Sequence, residues 1–384
     1  MKRVLSLFLL LVIFSIGVVN ANPIDNHGKL QVNGTNIVDK NGNKFQLRGV
    51  STHGIAWFPE YVNKDAFIYM RDNWNINTVR LAMYSEPNAG YKPETVKLLK
   101  QGVDYAIEEG LYVIIDWHIL NDNNPNIHKG EAIKFFKEVA SLYKDYDNII
   151  YEICNEPNGG TTWNDIKSYA MDVIKEIRNI DDDAIIVVGT PNWSQDVDVA
   201  ANNPITGYNN IMYTLHFYAG THKDWLRNKA DVALNKGLPL FITEFGMINA
   251  DGNGSIDYKE ADKWMKYIND KNISFMIWAL SNKNEGASLI RSDVKKTSGW
   301  SYDELAPHGK WFYDQMKNYS KEEVIQTTTT TTETTETTTT IVTTTKSNEE
   351  VKNNNTSILS FVITIILVIA LIAKIVSFKI KNMK

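Results

Sequence analysis

The sequence contains almost no cysteine and has no excess of basic residues. Cys154 is the one cysteine among the 384 residues, so an intrachain disulfide cannot form. It lies within an apolar run, where we expect a small buried thiol. The net charge at pH 7 is -5, whereas a nucleic-acid partner requires a concentrated basic face. These two shortages exclude a fold held by its own disulfides and argue against nucleic-acid binding.

Both ends of the chain carry apolar segments typical of membrane targeting. Residues 1–21 combine a basic start, an apolar run and small residues, which predicts a cleaved signal peptide. Residues 358–378 are apolar except for Lys374 and long enough to span a bilayer, and the basic residues 379–384 follow. We expect a retained transmembrane helix with a short cytoplasmic tail, because a lipid-anchor signal would end in the apolar stretch itself. The sequence thus predicts entry into the secretory pathway and a single-pass cell-surface protein with an extracellular domain.

The region between these segments divides into a folded part and a linker. Threonine dominates residues 321–357, which have little to bury and are expected to form an extended low-complexity linker. In residues 22–320, apolar runs alternate with segments of helical periodicity. The eight runs lie at residues 47–54, 78–84, 112–118, 149–156, 184–190, 211–218, 238–246 and 274–281. This alternation predicts the α/β class and a (β/α)8 TIM barrel, and Asn-Gly turns within residues 28–44 predict a short N-terminal hairpin.

Two of the apolar runs end in carboxylates. Residues 149–157 read I-I-Y-E-I-C-N-E-P and place Asn155 and Glu156 at the end of a run. Residues 238–246 read L-P-L-F-I-T-E-F-G and place Glu244 similarly. A buried strand cannot hold such groups without partners, so either the strand stops there or the groups have a chemical task. Two carboxylates at strand ends are the minimal set for cleaving a glycosidic bond.

The period of two along a strand sorts side chains into those facing the barrel axis and those facing the helices. If Glu156 faces the axis, so do Cys154 and Glu152. The same parity on the other runs brings further polar and aromatic side chains inward: Arg80, Tyr84, Asp116, His118, Thr214, His216, Tyr218, Glu244 and Trp278. Since the C-terminal rim of such a barrel forms the active site, we expect the site among these residues.

Six short motifs follow one another at the spacing of barrel strands. They are V-R-L at 79–81, D-W-H at 116–118, Y-E-I-C-N-E-P at 151–157, H-F-Y at 216–218, I-T-E-F-G at 242–246 and W-A-L-S-N-K-N-E at 278–285. Together they resemble glycoside hydrolase family 5, in particular its secreted bacterial-type endo-β-1,4-glucanases. Lys283 and Glu285 favour that subgroup over the mannanases. The resemblance covers nearly all of residues 22–320, and no cellulose-binding module is recognisable.

The resemblance implies a role for each matching residue. Glu244 resembles the nucleophile of a retaining double displacement, and Glu156 resembles the general acid and base. Four residues would support them: Arg80, Asn155, His216 and Tyr218. Eight would bind the sugar chain: His53, Trp57, Tyr84, His118, Trp193, Trp278, Lys283 and Glu285. Neither a cofactor nor a metal is implied.

Some of these roles can be stated more closely. Arg80 would hold Glu244 ionised, and Tyr218 could donate to it. Asn155 would bind the sugar 2-hydroxyl, and Trp278 would form the stacking floor beside the scissile bond. Asp116 and Glu152 are expected deeper, as partners of Arg80. Two further tryptophans, Trp225 and Trp300, could also contact flanking sugars, whereas His222 and His308 are expected on the surface or in loops.

Three other functions compete with this hypothesis. The same barrel could hydrolyse mannan, xyloglucan or mixed-linkage glucan. A catalytically inactive glucan-binding surface protein would show a substituted glutamate, but both glutamates are present. A metal hydrolase using His53, His118 and His216 would usually offer a His-x-His pair on one strand, and no such pair exists. The preferred hypothesis is a monomer that acts on β-1,4-glucan and is tethered to the membrane.

Overall fold

The computed structural model describes residues 22–88 and 90–319. Eight parallel strands form a closed barrel in the order β10-β3-β4-β5-β6-β7-β8-β9. Their bounds are β3 (Arg48–Thr52), β4 (Thr78–Tyr84), β5 (Tyr112–His118), β6 (Ile149–Glu152), β7 (Ile185–Val188), β8 (Ile211–Tyr218), β9 (Leu240–Gly246) and β10 (Ser274–Leu280). The predicted (β/α)8 barrel is therefore confirmed.

Helices connect the strands. They are α1 (Pro23–His27), α2 (Lys64–Trp74), α3 (Pro93–Glu108), α4 (Lys129–Tyr143), α5 (Trp163–Arg178), α6 (Pro191–Ser194), α7 (Val197–Ala200), α8 (Asp224–Asn235), α9 (Tyr258–Lys271) and α10 (residues 307–319), with 3₁₀ turns at Pro59–Tyr61 and Tyr302–Glu304. Local signals in the sequence start several of them. Asn63 accepts a hydrogen bond from the backbone of Ala66, and Thr162 forms a capping box with Asp165, so α2 and α5 begin where these side chains satisfy free N–H groups.

The predicted hairpin is also present. Strands β1 (Gln31–Asn33) and β2 (Asn36–Val38) pair antiparallel, and Gly34 takes the positive φ of +61° that the turn requires. Leu30 and Ile37 join the apolar cluster that fills the N-terminal half of the barrel interior. The hairpin thus closes the end of the barrel opposite the carboxyl ends of the strands.

The barrel interior changes character along its axis. Its N-terminal half is filled by apolar side chains such as Tyr112, Ile114, Ile150 and Met276. A separate, larger apolar cluster lies between the strands and the helices. Towards the carboxyl ends, strand pairing places Asp116 opposite Glu152 and His216 opposite Glu244. The polar groups are therefore confined to the end of the barrel where the loops leave the strands.

Several predicted segments lie outside the described residues: the signal peptide 1–21, residue 320, the linker 321–357, the transmembrane helix 358–378 and the tail 379–384. Among the helices within residues 22–88 and 90–319, none combines the length and the apolar character that crossing a bilayer needs.

Candidate active site

A cleft of about 590 Å³ opens at the carboxyl ends of the strands. Twelve predicted site residues line it: His53, Trp57, Tyr84, His118, Glu156, Trp193, His216, Tyr218, Glu244, Trp278, Lys283 and Glu285. The lining also includes residues that the sequence did not single out, among them Leu120, Asn121, Gln195 and Asp251, and it includes His222, for which no site role was expected. Arg80 and Asn155 are fully buried directly behind this surface.

Glu156 and Glu244 face each other across the cleft. One oxygen of each carboxyl group and one nitrogen of His216 all lie within 4.8 Å of one another. Each group already has a partner, since His216 Nδ1 is 2.9 Å from Glu156 Oε1 and Tyr218 donates to Glu244 Oε1 at 2.8 Å. This is the one group of His, Cys, Asp or Glu side chains within the described ranges that is close enough to hold a metal ion. The structure does not bring His53, His118 and His216 into such a group.

Arg80 on β4 is the cation at the centre of a buried carboxylate network. Its guanidinium contacts Glu152 Oε2 at 2.7 Å, Asp116 Oδ2 at 2.9 Å and Glu244 Oε2 at 3.4 Å. It also donates to Asn155 Oδ1 at 2.6 Å. Burying several charges is tolerable only when they are paired in this way, so Arg80 both offsets part of the negative charge and orients the floor of the site.

The two cleft glutamates have different surroundings. Burial raises the pKa of Glu156 to about 8, because desolvation outweighs the opposing effect of Arg80. Burial and the neighbouring Glu156 also raise the pKa of Glu244, but Arg80 lowers it and Tyr218 donates to its carboxylate. Glu156 is therefore held as the protonated acid near neutral pH, while Glu244 has hydrogen-bond donors that favour its charged form.

His118 and Asn155 are held in fixed orientations beside Arg80. His118 Nδ1 lies 2.7 Å from Asp116 Oδ2, and its Nε2 lies 3.2 Å from Asn155 Nδ2. Burial lowers the pKa of His118 well below its usual value, so the ring is neutral and donates from Nδ1. The Asn155 amide is thereby engaged at both ends, by Arg80 and by His118. Its expected contact with a sugar 2-hydroxyl stays a prediction.

Aromatic rings form a continuous wall along the cleft. Trp57 packs on Tyr84 with ring centres 4.5 Å apart, Tyr84 packs on His118 at 4.2 Å, and His118 stacks on Trp278 at 5.3 Å. His53 completes the group against Trp278 at 5.1 Å. Such faces suit stacking against sugar rings, which present flat apolar C–H surfaces.

The residues of the last motif lie on the same side of the cleft. Glu285 Oε2 contacts Lys283 Nζ at 2.5 Å, and its Oε1 lies 3.7 Å from His53 Nε2. Burial lowers the pKa of His53 to about 3, so this ring is neutral. Lys283 and Glu285 thus present one charged donor and one charged acceptor beside the aromatic wall.

Thr243 is an interior residue that strict alternation missed. The register between β9 and its neighbours shifts between Ile242 and Phe245, so β9 carries a bulge. The bulge allows Thr243 and Glu244, although consecutive, both to reach interior partners. A period of two cannot reveal this, because a bulge adds one residue to the count.

Three sequence-based expectations are wrong, and a fourth is right only in part. Cys154 does not face the axis but packs among the side chains between strands and helices, because β6 ends at Glu152 and the pleat ends with it. Trp300 is buried against Tyr61 in that same layer and does not line the cleft. His308 is buried within α10, where its ring nitrogen accepts a hydrogen bond from the backbone of Met247. His222 lies in the loop between β8 and α8, as expected, but it is buried, and its ring nitrogen accepts a hydrogen bond from the backbone of Tyr218.

The chain resembles known proteins over most of the described part. Residues 38–284 match the family model described as cellulase, glycosyl hydrolase family 5. "Endoglucanase A" of Butyrivibrio fibrisolvens is 46% identical over 321 residues, which is 79% of this chain and 74% of that protein. "Endoglucanase" of Clostridium saccharobutylicum is 49% identical over 286 residues, which is 73% of this chain but only 63% of that protein.

A solved structure provides the corresponding comparison of folds. A variant of the Cel5A endoglucanase catalytic domain from Thermobifida fusca, in complex with cellotetraose, is 35% identical with a TM-score of 0.73. The alignment covers 77% of this chain and 100% of that one. The family model, the relatives and the solved structure all indicate the same family. The chain belongs to glycosyl hydrolase family 5, the cellulase family.

Proposed function

We propose that this chain is a retaining endo-β-1,4-glucanase that hydrolyses internal linkages of cellulose-like glucans by double displacement. The spacing of the two cleft carboxyls carries the proposal. Retaining glycosidases hold their carboxyl groups about 5 to 5.5 Å apart, whereas inverting enzymes leave about 6.5 to 9.5 Å for a water molecule. Oxygens of Glu156 and Glu244 lie within 4.8 Å of each other, which supports the retaining mechanism.

In the first step, Glu244 attacks the anomeric carbon while Glu156 protonates the leaving glycosidic oxygen. The bond between the anomeric carbon and that oxygen breaks, and an ester forms between the sugar and Glu244. Arg80 and Tyr218 keep the attacking carboxylate ionised and oriented. Because the pKa of Glu156 is raised to about 8, its carboxyl group is protonated near neutral pH and can supply the required proton.

In the second step, Glu156 is a carboxylate and accepts a proton from water. The resulting hydroxide attacks the anomeric carbon from the side that the leaving group vacated, and the ester to Glu244 breaks. The two inversions restore the original anomeric configuration. Both glutamates and the proton on Glu156 are then regenerated.

The shape of the cleft supports an extended glucan as substrate. The cleft is open, and its aromatic wall continues to the solvent-exposed ring of Trp57. Trp193 is a second exposed tryptophan along the lining. A chain can therefore lie across the site and be cut internally. The endoglucanase names of the relatives agree with this mode of action.

The proposal is tested with soluble substrates. We expect the purified domain to lower the viscosity of carboxymethylcellulose quickly, and proton NMR of early products to show the β-anomer. Glu156→Gln and Glu244→Gln should each remove nearly all activity on this polymer, while the exposed Glu60→Gln should not. Initial α-anomer, faster hydrolysis of mannan than of cellulose derivatives, or full activity in both cleft variants would overturn it. Activity should also survive dialysis against a chelator.

We also propose that the domain acts at the cell surface. This proposal rests on the sequence alone, on the basic and apolar residues 1–21 and the apolar residues 358–378. When the full chain is expressed, its activity should appear in the membrane fraction, and intact cells should hydrolyse a polymer added outside them. Deletion of residues 358–384 should release the activity into the medium. Activity that stays in the soluble cytoplasm would contradict the proposal.

A further inference from the structure

A hydrogen-bond chain runs behind the proposed acid and includes a hydroxyl that the proposed reaction does not use. Glu156 Oε1 lies 2.9 Å from His216 Nδ1, and His216 Nε2 lies 2.9 Å from Thr243 Oγ1. Thr243 Oγ1 lies 2.6 Å from Glu152 Oε1. His216, Thr243 and Glu152 are buried, so water does not offer them alternative partners, whereas Glu156 faces the cleft.

The direction of the chain is fixed from its inner end. Burial favours the neutral acid at Glu152, but Arg80 donates to both of its oxygens, at 2.7 Å and 3.3 Å, and holds it as a carboxylate. A carboxylate can only accept hydrogen bonds, so the hydroxyl of Thr243 donates its one hydrogen bond to Glu152. The Thr243 oxygen then accepts a hydrogen bond from Nε2–H of His216.

The position of the proton on His216 decides whether Glu156 must donate or accept. Burial lowers the pKa of His216 to about 4, so the ring is neutral and carries one proton. If that proton is on Nε2, Nδ1 is an acceptor. The hydrogen bond between Nδ1 and Glu156 Oε1 is then satisfied only when Glu156 donates, which requires its protonated form.

We propose that Thr243 is a positioning residue that holds His216 in its Nε2–H tautomer and thereby keeps the proton on Glu156. The catalytic meaning of this inference rests on the proposed function, because it explains how the acid is held ready. Thr243 touches no substrate in this scheme. Its effect is exerted through His216, and the bulge in β9 is what brings its hydroxyl inward beside Glu244.

Other groups around Glu156 act on the same proton. The titratable and charged side chains that face it are Arg80 and Tyr84 on β4, Asp116 on β5, Glu152 on β6, His216 and Tyr218 on β8, and Glu244 on β9. The carboxylates and burial favour the protonated form, and Arg80 opposes it. His216 also affects the protonation of Glu156, through its tautomer, and in our proposal the hydroxyl of Thr243 controls that tautomer. Replacing Thr243 therefore tests this effect without altering any charge.

The test compares Thr243→Val with Thr243→Ser. Valine has nearly the shape of threonine but cannot accept from Nε2–H, so the Nδ1–H tautomer becomes competitive and donates to an ionised Glu156. Serine keeps the hydroxyl. Thr214→Val on β8 is the matched control, because Thr214 is equally buried and its hydroxyl has no hydrogen-bond partner among the described residues.

Two readouts separate this inference from the proposed function. Nitrogen-15 NMR of the imidazoles, with the His216 signals assigned by their loss in His216→Asn, should show the Nε2–H tautomer in the wild type, in Thr243→Ser and in Thr214→Val. It should show a shift towards Nδ1–H in Thr243→Val. The alkaline limb of kcat/KM should move to lower pH by about one unit in Thr243→Val alone, since one ordinary hydrogen bond corresponds to about one pKa unit.

The outcomes distinguish the two proposals. A wild type that is inactive on every β-glucan but shows His216 as Nε2–H would refute the function and keep the hydrogen-bond chain. A wild-type His216 that is Nδ1–H or doubly protonated at neutral pH refutes the inference, and that measurement needs no variant to fold. An unchanged tautomer and an unchanged alkaline limb in folded Thr243→Val refute it too.

Discussion

The hydroxyl of Tyr218 donates to Oε1 of Glu244 at 2.8 Å, and Arg80 contacts the other oxygen of that carboxylate at 3.4 Å. Both oxygens of the proposed nucleophile are therefore held by donors that come from strands β8 and β4. Such bonds stabilise the charged carboxylate and fix its direction of attack. Removing Tyr218 and removing Arg80 should have different costs, because Tyr218 is neutral whereas Arg80 is the cation shared by three buried carboxyl groups.

Tyr218→Phe removes only the neutral donor. A hydrogen bond to a charged group contributes about 1.5 to 3 kcal/mol, so we expect kcat/KM to fall by about tenfold to a hundredfold. Losing the donor also raises the pKa of Glu244, which moves the acid limb of the pH profile to higher pH. Tyr151→Phe is a matched control, because Tyr151 is also buried and donates to Asp181 at 3.0 Å away from the cleft. Equal losses of kcat/KM in both variants would show that the effect is structural.

Arg80→Met removes the cation that Asp116, Glu152 and Glu244 share. It leaves Asp116, Glu152 and Glu244 buried without their cation, and breaking a buried pair costs about 3 to 5 kcal/mol. We expect a large fall in the free energy of unfolding in urea, with any folded protein inactive. Arg291→Met, which removes an exposed pair with Asp293, should cost at most about 1 kcal/mol. Comparable stability of Arg80→Met and the wild type would contradict the assigned role.

Glu156→Gln should separate catalysis from stability. The pKa of Glu156 is raised by burial from 4.5 to about 8, so the folded protein binds one more proton than the unfolded chain between these values. The contribution of this group to stability is therefore full below pH 4.5 and is lost as pH rises to about 8. The amide does not titrate, so the variant should gain stability relative to the wild type as pH rises from 5 to 9, by about 4 kcal/mol for a pKa shift of this size. Melting curves of the wild type and the variant across this pH range test the prediction, with Glu60→Gln as the exposed control. A difference in stability between Glu156→Gln and the wild type that does not change with pH would show that the pKa of Glu156 is not raised.

The sequence predicted the barrel, and it predicted the interior position of most site residues wherever a strand keeps its pleat. Arg80, Asp116 and His118 lie on the regular strands β4 and β5, and alternation places them correctly. It fails for Cys154, because β6 stops before that residue, and for Thr243, because β9 bulges. Both departures depend on how neighbouring strands pair, which a single strand's pattern does not contain.

The histidines show a second limit. His222 and His308 have no sequence context that marks them as interior, yet each accepts a hydrogen bond from the backbone of a residue that follows a site strand or lies within it. Such partners are set by tertiary structure alone. The chemical roles of Glu156 and Glu244 come from the family resemblance together with the spacing of their carboxyl groups. The strand pattern alone predicted where the two glutamates lie, but not which is the acid and which is the nucleophile.

Trp193 and Trp225 allow a direct test of substrate contact. Both side chains are 44% exposed, but only Trp193 lines the cleft, whereas Trp225 packs on His222 and lies under Lys229. We expect Trp193→Ala to raise KM for long soluble glucans with a smaller change in kcat, because stacking on a sugar unit away from the scissile bond contributes to binding of the ground state and transition state alike. The loss should shrink with oligosaccharides too short to reach Trp193. Trp225→Ala should leave both constants unchanged, and equal effects of the two substitutions would place the polymer outside the cleft described.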